Sequence, residues 1–180
     1  MATTRGSAVS REREDAPPVR LRESFDAFYL REYPKMVALA AAVSGSRLVA
    51  EDLAQEAMLR AHRRWDRVAG YEMPGAWMRR VTINLAVSAT RRRRADLRRM
   101  LRLGPQPSIP PPEPVDERVW HAVAALPGKQ RAAIALHYLE DLSIGEIAQV
   151  LEVAESTARV HLHRGREALA SALRDQEPYR

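Results

Sequence analysis

The sequence predicts an all-α fold made of two small helical domains joined by a proline-rich linker. Apolar residues recur at helical spacing outside the ends and one proline run, without the period-two alternation of strands and without internal repeats. Six prolines fall between Gly104 and Val115, at 105, 107, 110, 111, 112 and 114, and polyproline geometry of ~3.1 Å per residue makes that run a stiff strap of roughly 30 Å. A chain of 180 residues has the length of about one or two domains, each with a modest core. Composition sets the expected boundaries. Residues 1–20 mix small polar residues, alternating charges and Pro17-Pro18 and read as a disordered tail. Residues 21–102 form the first domain, 103–115 the linker, 116–174 the second domain and 175–180 a short tail.

Charge narrows the partners. The formal net charge is +6, which favours a polyanion. Lys35 and Lys129 are the only lysines, so arginine carries nearly all of it. With no cysteine, disulfides, thiolate metal sites and thiol redox sensing are excluded. The longest apolar run, Val37 to Val43, is too short to span a bilayer, and the N-terminus has acids and prolines where a signal peptide needs an apolar segment. A cytoplasmic protein without membrane insertion is expected. Nothing points to an enzyme, a metal or a cofactor. His62, His121, His137, His161 and His163 lack ligand spacing, and His161 and His163, two apart, point to different helix faces.

In the first domain the opening helix carries Phe25, Phe28, Tyr29, Met36, Val37 and Ala40, with Pro34 either kinking it or restarting it one turn later. A second helix, from Ser46 to Trp65, gathers Ala50, Ala54, Ala57, Met58, Ala61 and Trp65 on an inward face and Asp52, Glu56, Leu59 and Arg63 on the outward one. A leucine among charges suits a protein partner that buries Leu59 and pairs the acids; a merely solvated acidic face is the other reading. Pro74 is a favourable first residue for a third helix, whose packed side is marked by Trp77, Val81, Leu85 and Ser88. Between Arg79 and Arg102 stand nine arginines against one acid, Asp96, a field that tracks phosphates and makes binding salt dependent. The preceding loop, Asp66 to Met73 with Gly70 and Tyr71, suits an unstacked base against an aromatic face.

The second domain holds the sharpest signal. From Leu142 to Leu173 two helices flank a tight turn at Glu152, Val153 and Ala154. Ser143 and Glu146 have capping-box spacing, and Ile144, Ile147, Ala148 and Leu151 make a buried stripe. In the second helix Ala158, Leu162, Gly165 and Leu169 face inward, while Ser156, Val160, His163 and Glu167 face out between Arg159 and Arg164. That is the layout of a helix-turn-helix recognition helix. An amphipathic hairpin with a solvated basic face has the same periodicity.

The parts in this order resemble a known family. The segments EDLAQEAMLRA, PGAWMRRVTINLA running into RRRR, the proline strap, and ALPGKQRAAIALHYLEDLSIGEIAQVLEVAESTARVHLHRGREAL together look like a bacterial RNA polymerase sigma factor of the extracytoplasmic-function (ECF) type, over about Ser24 to Leu173. The resemblance implies sigma domain 2 as an N-terminal helical bundle and sigma domain 4 with its helix-turn-helix. It also implies binding to core RNA polymerase, recognition of promoter DNA at -10 and -35 elements, and no catalytic residues. An anti-sigma factor is an expected partner. The clamp-binding motif of the family matches Asp52, Leu53, Gln55 and Glu56, beside Leu59. Its -10 surface matches Gly70, Tyr71, Glu72, Met73, Trp77, Arg80 and Asn84, continued by Arg91 and Arg92, although Asn84 lies beside Trp77 and Val81 on the wheel and suits a buried amide as well as a base contact. Its recognition helix matches Thr157, Arg159, Leu162, His163, Arg164 and Arg166, and Ser156 and Val160 on the same outward face complete the expected -35 contact set. The strap, by the same resemblance, lies inside polymerase with Glu113, Asp116 and Glu117 near the template path.

This chain departs from the family pattern with Glu152 in place of a frequent turn glycine, Ala154 in place of a capping serine, and Val160 in place of a small polar residue. Capping is then expected from Ser156, or from Glu155 acting on the helix dipole. The alternative function is a one-component helix-turn-helix regulator, but residues 21–102 show no glycine-rich loop or apolar pocket pattern for a ligand. A nucleic-acid enzyme lacks its carboxylate cluster, since the acids lie on one exposed helix face. An anti-sigma or adaptor protein has no use for the arginine helix.

Overall fold

The computed structural model describes residues 23–102 and 117–174, which form eight helices and no strand. The tails, the strap and its acids Glu113 and Asp116 lie outside the described residues, as does the side chain of Glu117. Helix α1 spans Phe25–Ser44, capped at its start by the Ser24 hydroxyl, which accepts from the Ala27 amide at 3.2 Å. It runs unbroken through Pro34, which faces solvent. Buried Phe28, Met36, Leu39 and Ala40 on either side of the proline hold one helix together despite the lost hydrogen bond. At its end Gly45 turns with φ +69°, and a Cβ there would lie 2.9 Å from that of Ala124. Both facts require glycine.

Helix α2 covers Ala50–His62 and the short α3 covers Trp65–Val68, so the helix expected over Ser46–Trp65 is shorter and its last residue belongs to another element. The cause is Trp65. Its ring packs on Phe28 and Phe25, with centroids 4.8 and 5.5 Å away, and its Nε1 donates to the Glu23 carbonyl at 3.2 Å. Those partners lie off the axis of α2, and the chain turns at Arg63 and Arg64 to reach them.

Helix α4, Pro74–Arg102, is the longest at 29 residues. Its buried face is Met78, Thr82, Ile83, Leu85 and Ala86, while Trp77 and Val81 are half-buried and Ser88 is exposed. The packed side therefore sits about one residue round from the expected one, and Ser88 is not part of it. Thr82 was hidden from a hydrophobicity pattern because its hydroxyl donates to the Met78 carbonyl at 3.0 Å, which satisfies it inside the core.

The remaining helices are α5 Glu117–Ala125, α6 Gly128–Leu139, α7 Ile144–Leu151 and α8 Glu155–Arg174. The capping box is complete: Ser143 Oγ accepts from the Glu146 amide at 3.3 Å and Glu146 Oε2 accepts from the Ser143 amide at 2.9 Å. The Ser143 side-chain and backbone bonds hold the Glu146 carboxyl below the usual glutamate range. Ile147, Ala148 and Leu151 are buried with Ala158 and Leu162 of α8. The two helical groups are not held apart: α1 packs on α5 and α6, α4 packs on α7, and one core runs from Phe28 to Leu162.

Gly165 is where α8 crosses α6. A Cβ there would stand 2.8 Å from Ile134 Cγ1 and 3.4 Å from the Gln130 carbonyl. Gly165→Val is expected to overpack this crossing and cost about 1–3 kcal/mol, read as a lowered denaturant midpoint at unchanged slope.

Candidate nucleic-acid interface

The turn between α7 and α8 sets the aim of the recognition helix. Glu152 adopts φ +51°, a left-handed conformation uncommon outside glycine and asparagine, and the Val153 amide closes the end of α7 on the Ala148 carbonyl at 3.0 Å. Helix α8 begins at Glu155, with the Ala154 carbonyl accepting from the Ala158 amide at 3.0 Å. Ser156 thus lies within the first turn, which leaves Glu155 as the acidic group at the positive end of the helix. With Ala158, Leu162 and Gly165 buried, Ser156, Thr157, Arg159, Val160, His163, Arg164 and Arg166 all project to solvent. Arg159, Val160, His163 and Arg166 line a concave volume of about 520 Å³ with His137 and Ile144.

These side chains are not equally free. Arg166 Nε donates to the Tyr138 hydroxyl at 3.0 Å, and its guanidinium lies 5.5 Å from that ring's centre. His163 Nε2 lies 3.4 Å from Glu167 Oε1, an exposed pair that water screens. No ion pair involving Arg159 is formed among the described residues, so this arginine keeps its donors for a partner.

On α2, Asp52, Gln55 and Leu59 are exposed, and Glu56 is paired with Arg60 at 2.8 Å one turn on. Leu53 is a correction to the predicted docking set: it is buried in the core, because its position falls on the Ala50, Ala54 and Ala57 side of the helix. In the loop before α4, Gly70, Glu72 and Met73 are exposed, and the half-buried rings of Tyr71 and Trp77 are tilted with centroids 6.3 Å apart. Asn84 is exposed, which removes the reading of a buried amide, and Arg91 and Arg92 are exposed beyond it.

Two arginines of α4 are engaged across the molecule. Arg79 donates to Glu140 Oε2 from Nε at 2.8 Å and from Nη2 at 2.6 Å, and the same Nη2 lies 3.7 Å from Glu32. Both acids are almost fully buried, at 4% and 5% side-chain exposure. The neighbouring Arg80 is paired with Glu152 and donates to the Gln149 carbonyl at 3.2 Å. A predicted DNA contact is therefore held by the turn of the helix-turn-helix. Arg131, only 1% exposed, donates to the Ala124 carbonyl at 2.8 Å. Burial, and then Arg94, pushes it down to about 10. It stays charged at neutral pH.

Sequence reasoning missed Glu32, Arg79, Glu140 and Arg131 as structural residues. Glu32 had a legible signal: it falls at helical spacing between Phe28 and Met36, in the buried stripe of α1. Arg131 had a weaker one, since it opens the buried run through Leu136.

The two interdomain arginine pairs should respond differently to truncation. Glu140→Ala removes both hydrogen bonds of the largely buried Arg79 guanidinium, leaving it only Glu32 at 3.7 Å, and is expected to cost roughly 3 kcal/mol. Glu152→Gly removes an exposed pair of about 0–1 kcal/mol but relieves left-handed strain of about 1–2 kcal/mol, and should leave stability unchanged or raise it by up to about 2 kcal/mol. Denaturant unfolding of both variants beside the parent measures the contrast.

Among the described residues no group of histidine and acidic side chains is placed to hold a metal, and no helix is long and apolar enough to cross a membrane. Sequence-family models match in two places: "Sigma-70 region 2" over residues 28–96 and "Sigma-70, region 4" over residues 116–169. An RNA polymerase sigma-E factor of Streptomyces avermitilis is 30% identical over 136 residues, covering 71% of this chain and 73% of that protein. The ECF RNA polymerase sigma factor SigW of Bacillus subtilis is 29% identical over 143 residues, covering 70% and 76%. The fold is similar to that of the sigma factor RpoE solved with the anti-sigma factor NepR from Bartonella quintana, with a TM-score of 0.66 at 24% identity, over 85% of this chain and 98% of that one. Both sigma regions in order, on a chain whose described residues form helices alone and end in a helix-turn-helix, place this protein in the family of ECF-type RNA polymerase sigma factors.

Proposed function

We propose that this chain docks on core RNA polymerase through α2, captures the -10 element with the loop before α4 and with α4 itself, and reads the -35 element with α8. In this reading residues 21–102 act as sigma domain 2, 116–174 as sigma domain 4 and 103–115 as the linker between them, without a catalytic step of the chain's own. The observation that carries it is the outward face of α8, where Ser156, Thr157, Arg159, Val160, His163 and Arg164 share one solvent-facing side behind a capped helix-turn-helix. A side chain on such a face reaches base edges in the major groove. The exposed arginines 91 to 94 of α4 supply phosphate contacts that position without specifying.

Engagement of Arg80 by Glu152 gives the mechanism an order. Arg80 becomes available to the -10 element only when its contact with Glu152 parts, and binding energy from polymerase drives that parting, while Asn84, Arg91 and Arg92 are exposed already. An anti-sigma factor, such as the Bartonella sigma factor carries, would act on the same equilibrium from the other side. The work is done where polymerase and promoter are, in the cytoplasm. Runoff transcription with core polymerase on a randomised promoter library tests the whole reading; sequence-specific initiation that needs both proteins is the expected result.

Two substitutions test its parts. Asp52→Lys with Glu56→Lys should weaken core binding by about tenfold or more while the far-ultraviolet circular dichroism stays that of the parent. Core binding as tight as the parent's would move the docking face elsewhere. Arg159→Ala should relax preference at one position of the -35 element by about 1–3 kcal/mol. Arg166→Ala, which removes a side chain already seated on Tyr138, should weaken all upstream elements alike. Transcription from promoters varied singly across the -35 element separates these outcomes.

A further inference from the structure

Between α4 and the α6–α7 pair lies a cavity of about 610 Å³, a size that holds small-molecule ligands. Its charges are unbalanced. Arg80, Arg91, Arg94, Lys129 and Arg131 line it against one acid, Glu152, which Arg80 already engages. The amino-terminal turn of α6 opens onto the same space: Pro127 offers those amides no side-chain cap, and the first turn carries no acid. The positive end of a 12-residue helix thus adds to the field.

A second observation is independent of that helix end. Arg131 lines the cavity, is 1% exposed, and its Nε has no hydrogen-bond partner among the described residues. Its terminal nitrogens reach only neutral acceptors, the Ala124 carbonyl and, at 3.4 Å, the Thr90 hydroxyl. A guanidinium this deeply buried is costly without an opposite charge, and Arg94 adds a like charge to its field. Apolar walls from Val87, Val150 and Leu151 complete the enclosure. Gly128 sits tightly against Val87, where a Cβ would lie 3.3 Å from Val87 Cγ2, so the α6 terminus is brought close to α4.

We propose that this interdomain cavity binds a small phosphate-bearing anion, inorganic pyrophosphate or the polyphosphate of a nucleotide, which bridges α4 to the start of α6 and holds the two halves together. The anion supplies the negative charge that the cavity lacks, and it binds only the closed arrangement because its ligands come from both halves. Such a ligand stabilises the state it binds by mass action. The inference concerns the free chain and does not rest on the assignment of polymerase or promoter contacts.

The test is isothermal titration of the full chain with inorganic pyrophosphate at fixed physiological ionic strength, with thermal unfolding in parallel. Saturable binding of one anion per chain and a raised unfolding midpoint are expected. Lys129→Gln and Arg94→Gln should each weaken binding by about tenfold, the loss of one charge-assisted contact. Arg98→Gln, on the exposed end of α4 outside the cavity, should leave it unchanged. Arg131→Gln should also weaken it, but Lys129→Gln carries the test because the lysine is exposed and not part of the core. A nucleoside triphosphate that binds more tightly than pyrophosphate identifies a nucleotide, and equal affinity an inorganic polyphosphate. The proposal is overturned by absence of saturable binding, by an equal loss with Arg98→Gln, or by a Lys129→Gln defect seen with duplex DNA but not with pyrophosphate.

Discussion

The buried ion pair between Arg79 and Glu140, with Glu32 behind it, is the constraint from which the arrangement of this molecule follows. A guanidinium removed from water loses several kcal/mol of hydration and recovers it only where carboxylates meet it with good geometry. Here one comes from α1 and one from the residue after α6, so three separate stretches of chain are tied to a single side chain. Once Arg79 is fixed, the next residue along α4 faces the helix-turn-helix, and Arg80 meets Glu152. Further along the same helix, Arg94 reaches the Ala124 carbonyl at 3.0 Å, which also accepts from Arg131. The contact between halves therefore combines a shared apolar core with several arginines.

That composition suits the two purposes that the proposed function gives to one helix. An apolar interface, once parted, would leave a greasy surface exposed. An arginine-lined one leaves a surface that water and phosphates both solvate well. The side chains of α4 that contact the second half in the closed molecule are of the type that neutralises a nucleic-acid backbone in an open one. In the proposed function, parting exchanges one set of anionic or carbonyl acceptors for another, and that exchange offsets part of its cost.

Much of this was legible in the residues. The capping box at Ser143 and Glu146, the buried stripe of α7 and the outward face of α8 follow from spacing alone, because a short helix with one buried side leaves little freedom. Helix α4 was legible in its start at Pro74 but not in its rotation, since Thr82 hides its hydroxyl on its own backbone and so behaves as an apolar residue. The end of α2 was misread because Trp65 leaves the helix for a cluster of aromatic rings contributed by residues some forty positions earlier, a long-range effect that no local pattern contains. Leu53 was misassigned on resemblance where the wheel places it inward. Closure of the two halves was not legible at all. It depends on acids and arginines that, taken one at a time, look like ordinary surface charges.

Glu152 ties these levels together. Its left-handed backbone is needed to turn the chain between α7 and α8, and glycine would make that turn with less strain, yet the side chain present reaches the other half of the protein. The DNA-reading module therefore carries in its own turn a residue whose use lies outside that module. Homologous regions of this kind are often treated as interchangeable parts. A second half carrying glycine at this turn would keep a sound helix-turn-helix and lose the contact of Glu152 with Arg80. The turn of one half thus supplies a partner to the long helix of the other, and a change on either side alters what the opposite side faces.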